Sequence, residues 1–128
     1  VNLLNDPYNI PQEEEDNSCV EYKRHITDIS KSTMERRISQ LRRRLYDGYQ
    51  LYDKMVCTYL LGVNDDGTIY GLDKKNRHKS MRNIRKMVNG SGIDAYIDSI
   101  HVRKLKDPKG YIIQVNICSP LEPEEFVC

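Results

Sequence analysis

The sequence has no tryptophan and one phenylalanine, so nine tyrosines must supply most of its aromatic packing. A buried tyrosine seeks a partner for its hydroxyl, and a wet or half-exposed sheet is therefore expected. No apolar run approaches the roughly 18 residues of a membrane span, and none is expected. The opening stretch, VNLLNDPYNIPQEEED, lacks the basic and apolar regions of a secretory signal. Cysteine is sparse: Cys19, Cys57, Cys118 and Cys128 form no C-x-x-C pair, and only three histidines accompany them. That spacing argues against a zinc site, and no metal ligands are assigned. Reduced thiols and a cytoplasmic location are the expectation.

Charge is plentiful but unevenly placed. Of the 128 residues, 38% are hydrophobic and 30% charged, a composition that fits one folded domain. The formal net charge is only +1, yet all 20 lysines and arginines lie between Lys23 and Lys109. Six acids crowd residues 1–21 and three more lie in residues 120–128. Residues 22–119 thus hold twenty basic against ten acidic side chains, a formal +10. A basic body between acidic ends suits a polyanion such as RNA. The plainer alternative is a solvated surface neutralised by its own tails.

Residues 1–18 carry Pro7 and Pro11 and show no period. They are expected to form an acidic, flexible arm. Cys19–Ile26 alternates as a strand does, and Asp28 or Ser30 can cap the helix after it. Met34, Ile38, Leu41 and Leu45 make one apolar stripe on that helix, over residues 31–47, with Gly48 as its stop. Arg42, Arg43 and Arg44 sweep about 200° of the helix, too wide for one flat patch. Residues 55–62, MVCTYLLG, read as a strand buried on both faces. Asn64-Asp65-Asp66-Gly67 is a hairpin turn, and Thr68–Leu72 is its return strand. Met81, Ile84, Met87 and Val88 mark a second helix over residues 77–89, ended by Gly90-Ser91-Gly92. Ile93–Leu105 alternates with a slip of one residue near Ser99, which predicts a bulge. Asp107-Pro108-Lys109-Gly110 turns into the last strand, Tyr111–Cys118. The order β-α-β-β-α-β-β predicts an α+β fold, a mostly antiparallel sheet with two helices on one face. Residues 19–118 form its single domain, and residues 119–128 an acidic tail or linker toward a downstream domain.

Val20-Glu21-Tyr22-Lys23, then a helix, then the Gly62–Leu72 hairpin GVNDDGTIYGL resemble the Schlafen-type, or AlbA-2, domain. A narrower pattern adds the acidic Pro-containing lead-in Ile10–Asp16, Arg44-Leu45-Tyr46-Asp47-Gly48, the helix Ser80–Met87 and Val102-Arg103-Lys104. With these the chain resembles the N-terminal domain of the GTP-binding protein 1/2 family, relatives of the elongation-factor-type GTPases. The resemblance covers about residues 10–118, and its hairpin motif is its most specific part. It implies a translational role, with ribosomal or transfer RNA, or the ribosome, and the protein's own downstream GTPase domain as partners. One departure is large. The family's phosphate loop, G-x-x-x-x-G-K-[ST], is missing, and Asn89-Gly90-Ser91-Gly92 lacks the Lys and Ser/Thr that would follow. GTP is therefore expected only in a downstream domain, with no cofactor and no GTPase activity in this chain.

Two sets of residues carry the functional expectations. Arg42, Arg43, Arg44, Lys74, Lys75, Arg77, Lys79, Arg82, Arg85 and Lys86 are candidates for phosphate contacts, the lysines and arginine of 74–79 lying in a loop before the second helix. The rival set is Asp16 and Glu21, which the resemblance to Schlafen-type ribonucleases implies, with Asp98 added as a third carboxylate by strand order alone. These would hold Mg²⁺ or Mn²⁺ and activate water against a tRNA or rRNA phosphodiester. Ordinary ion pairing of Glu21 with Lys23 or Arg24 is the plainer account. Asp65 and Asp66 are read first as turn formers.

Overall fold

The apolar stripe of the first helix and the alternating runs find each other across one sheet. The structure, a computed structural model, describes residues 18–123. Asp16, most of the acidic arm and the last five residues lie outside the described residues. The elements run β1 (Val20–Lys23), α1 (Lys31–Tyr52), β2 (Val56–Leu61), α2 (Lys74–Asn89), β3 (Tyr96–Lys106) and β4 (Lys109–Cys118). The sheet order is β1-β2-β4-β3. β1 pairs parallel with β2, as a β-α-β connection requires, and the other two pairs are antiparallel. The fold is α+β, with a mixed four-stranded sheet.

Alternation along the strands sorts the side chains onto two faces. Cys57, Tyr59 and Leu61 of β2 and Ile113, Val115 and Ile117 of β4 face the helices. They pack on Leu41 and Leu45 of α1 and on Ile84, Met87 and Val88 of α2. Both helices thus cover one face. A smaller cluster of Tyr22, Leu60, Val63, Leu105 and Ile112, with Val20 and Ile69 against it, occupies the opposite face. Val63 and Ile69 come from the hairpin, so that part of the segment folds over the second face, while Leu72 at its end joins the helix-side core.

Three expectations fail for local reasons. Thr68–Leu72 is not a strand: it makes only the isolated bridges Val63 to Ile69 and Leu72 to Tyr111. Gly62, Gly67 and Gly71 all have positive φ and turn the chain out of the extended path. Gly62 stands where a Cβ would lie 2.6 Å from the Tyr111 carbonyl oxygen, so the base of the hairpin hugs β4. Gly48 does not stop α1, which continues to Tyr52 and ends at Asp53 in the left-handed region, φ 60°. Gly48 instead faces β2, where a Cβ would lie 1.8 Å from the Val56 carbonyl oxygen. It is a close-approach glycine, not a terminator. Finally, α2 begins three residues earlier than the apolar pattern indicates. The Asp73 carboxylate accepts from the Asn76 amide at 2.7 Å and caps it, a contact worth about 1 kcal/mol. Lys74, Lys75, Arg77 and Lys79 therefore belong to the helix, not to a loop.

The predicted bulge is present, with the register of β3 slipping between Ile97 and Ser99 and leaving Asp98 as the extra residue. Asp28 does not cap α1 but braces its entry. Its carboxylate accepts from the Ser30 amide at 2.9 Å and the Thr33 hydroxyl at 3.0 Å.

Candidate nucleic-acid interface

The two helices place their arginines and lysines differently. On α1 the three consecutive arginines diverge, as their angular spread demands. The Arg42 Nε donates to the Ser91 carbonyl at 2.7 Å, tying α1 to the loop after α2. Arg44 turns the other way, toward β1. Its Nε donates to Glu21 Oε1 at 2.7 Å and its Nη1 to the Ser18 carbonyl. Only 11% of the Arg44 side chain and 5% of the Glu21 side chain are exposed. Arg43 stands between them on the exposed side of the helix. Ser39, Arg42, Arg43 and Tyr46 line a shallow groove there.

On α2 the charges converge. Its sequence, KKNRHKSMRNIRKMVN, contains no acid. Ser80, Asn83, Ile84, Met87 and Val88 are buried, and their hydrogen bonds and packing hold the helix in one rotational setting. The Ser80 hydroxyl accepts from the Ile26 amide at 2.9 Å, and the Asn83 amide donates to the Ile26 carbonyl at 2.8 Å. With that face locked down, Lys74, Lys75, His78, Lys79, Arg82, Arg85 and Lys86 share the other. At about 100° per residue they span an arc of roughly 140°, along a helix about 24 Å long. Arg77 lies outside this arc, its guanidinium 4.2 Å from the Tyr111 ring centroid. The lysines at the helix start also sit at the wrong end of its dipole. Each is unfavourable by about 0.3–1 kcal/mol; the first turn itself holds no acid, and the Asp73 carboxylate at the cap stands against them.

The two described members of the carboxylate set stand apart. Glu21 lies in β1 and Asp98 in β3, the two edge strands of the sheet. Three strand spacings separate them, about 14 Å. Glu21 is turned to the helix side by Arg44, with Lys23 Nζ a further 3.6 Å from its Oε2. Among the described residues no group of three His, Cys, Asp or Glu side chains is placed to hold a metal ion. Glu21 and Asp98 thus form no Mg²⁺ or Mn²⁺ centre with each other, and Asp16 lies outside the described residues. Asp65 and Asp66 act as the turn formers expected: Asp66 accepts from the Thr68 amide at 3.0 Å and its hydroxyl at 2.6 Å. Those bonds hold the Asp66 carboxyl below the usual range.

Two features are all but invisible in the sequence. Arg24 packs its guanidinium 5.4 Å from the Tyr70 ring centroid and donates to Asn64 Oδ1 at 3.1 Å, joining the end of β1 to the hairpin. Its place directly after Glu21-Tyr22-Lys23 is the only sequence cue. On the face away from the helices, Thr58 and Gln114 donate to Asn116 Oδ1 at 2.9 and 3.1 Å. Asn116 Nδ2 donates on to Ser99 Oγ at 2.8 Å. This polar ladder crosses three strands beside a groove of about 460 Å³ lined by Val20, Tyr52, Asp98 and Cys118. Its members satisfy one another. No sequence signal could have found it, because the strand order is not local information.

No helix among the described residues is long and apolar enough to cross a membrane. Comparison with known proteins found no matching family model and no matching solved structure. Two curated proteins do match, GTP-binding protein 2 of Mus musculus and GTP-binding protein 2 of Homo sapiens, each 29% identical over 90 residues. The match covers 70% of this chain but only 14% of either relative. The chain is thus similar to a small part of a GTP-binding protein, and that similarity supports a distant relation to the GTP-binding protein family.

Proposed function

We propose that this chain is an RNA- or ribosome-binding domain from the N-terminal region of a GTP-binding protein 1/2-type translational GTPase, with no GTPase activity of its own. One observation carries the reading: the outward face of α2 gathers six lysines and arginines with no acid among them, and its first two lysines stand against the helix dipole. A rigid cationic helix of this kind docks onto phosphates through Coulombic attraction and counterion release. No tyrosine shares that face of α2, so base stacking contributes nothing there. Arg42 and Arg44 act in this reading as braces that fix α1 beside α2 and β1, while Arg43 extends the contact. GTP would be handled by a downstream domain, against which this one could also dock.

The test is fluorescence anisotropy of the chain with tRNA and with an rRNA fragment across a salt series. Engagement of about five phosphates of single-stranded RNA predicts that log K falls with log salt at a slope of roughly −3.5. Reversing Lys79, Arg82 and Lys86 to Glu should reduce affinity more than tenfold and flatten that slope. Failure of the unaltered chain to bind either RNA at low salt would sink the proposal and favour a purely regulatory domain that contacts only the GTPase. Cleavage of tRNA with Mn²⁺ that disappears in Asp98→Asn would favour the endoribonuclease instead.

A further inference from the structure

β3 is an edge strand of eleven residues, and nothing among the described residues covers its outer side. On its helix-side face Ile100 and Val102 lie beyond the reach of α2, 36% and 52% exposed. An open edge bearing β-branched side chains is a liability for a lone chain. The usual protection is charge, and β3 has it in an unusual order. Asp98 stands near its start, with Asp94 just before the strand, while Arg103, Lys104 and Lys106 crowd its end. Against an arbitrary strand these charges discourage pairing. Against the same strand running the opposite way they are complementary.

We propose that β3 pairs with β3 of a second copy across a two-fold axis at His101, joining two four-stranded sheets into one of eight strands. A two-fold perpendicular to the sheet keeps each residue on its own face, so partners must be an even number of positions apart. With the axis at His101, Ile100 meets Val102 of the other copy, and the reciprocal contact repeats it. Ser99 then opposes Arg103, and the bulged Asp98 comes into the neighbourhood of Lys104. An axis at Arg103 would instead oppose two arginines. An axis at Val102 would set each Ile100 against Lys104. The His101 register alone of these three buries both exposed apolar residues against each other and alternates the charges.

Sedimentation equilibrium of the 128-residue chain tests this directly. The expected mass is twice the 15.0 kDa of one chain, reached at about 100 µM or below by mass action. Val102→Lys, at an exposed position, should weaken association about tenfold or more while circular dichroism stays unchanged. Lys104→Asp should also weaken it, and adding Asp98→Lys should restore it. Under oxidation His101→Cys should give a covalent dimer linked through the substituted position, as mapped by mass spectrometry. A chain that stays at 15.0 kDa throughout, or a dimer indifferent to Val102→Lys, overturns the proposal and leaves the edge to some other partner.

Discussion

Tyr59 shows what a single side chain does in this fold. It is fully buried between β2 and the helices, and its hydroxyl has no hydrogen-bond partner among the described residues. Burial pushes its pKa well up, so it stays neutral. An unpartnered buried hydroxyl is unfavourable by about 1–3 kcal/mol. Tyr59→Phe removes that group and keeps the ring. Thermal unfolding should show the variant equally stable or about 1 kcal/mol more stable, and a clear loss of stability would mean the hydroxyl has a partner after all. Arg44 is the contrasting case. Its contact with Glu21 is nearly buried, and removing one member of such a pair is destabilising by about 3–5 kcal/mol. Changes at Glu21 or Arg44 therefore report on folding before they report on RNA or catalysis.

At the scale of the element, α1 is set by its closest approach to the sheet. Leu41 and Leu45 bury its apolar stripe, and Gly48 lets the backbone of the next turn touch Val56. In Gly48→Ala the methyl would meet a backbone carbonyl, not a side chain that can swing away. Helix propensity alone favours alanine by about 1 kcal/mol. The clash should reverse that sign. Urea unfolding is expected to show a loss of about 3 kcal/mol, and a stabilised variant would contradict the packing described. The apolar period located both helices but misplaced one end of each. Gly48 carries the sequence signature of a stop, and only the neighbouring strand reveals its other use. Asp73 caps α2 ahead of any apolar residue, so periodicity could not see the first turn, which holds two of the basic residues that matter most.

For the whole molecule, pH acts on the carboxylates that pin turns and helix entries. Asp28 is held below its ordinary pKa of 3.8, chiefly by the Ser30 amide and then by Thr33, and Asp66 is held down by Thr68. A depressed folded-state pKa means the unfolded chain binds the proton more readily. The stabilisation is complete above the ordinary value of 3.8 and is lost as pH falls through the lowered folded value. Melting temperature should therefore decline on acidification below about pH 4, and Asp28→Asn should make that decline shallower. A melting temperature that rose in that range would contradict the assignment.

The chain's chemistry alone determined that the body is cationic, that two amphipathic helices alternate with strands, and that a bulge interrupts the long alternating run. Those follow from local order: charge is counted, and periods of 3.6 and 2 are visible within a few residues. Only the tertiary structure decided which charges serve which end. Packing locks α2 by Ser80, Asn83 and Ile84 and so gathers its cations on one side. It spends Arg42 on Ser91 and Arg44 on Glu21, and it sends Glu21 and Asp98 to opposite edges. Strand order and helix rotation are set by long-range burial, which no short stretch of sequence records.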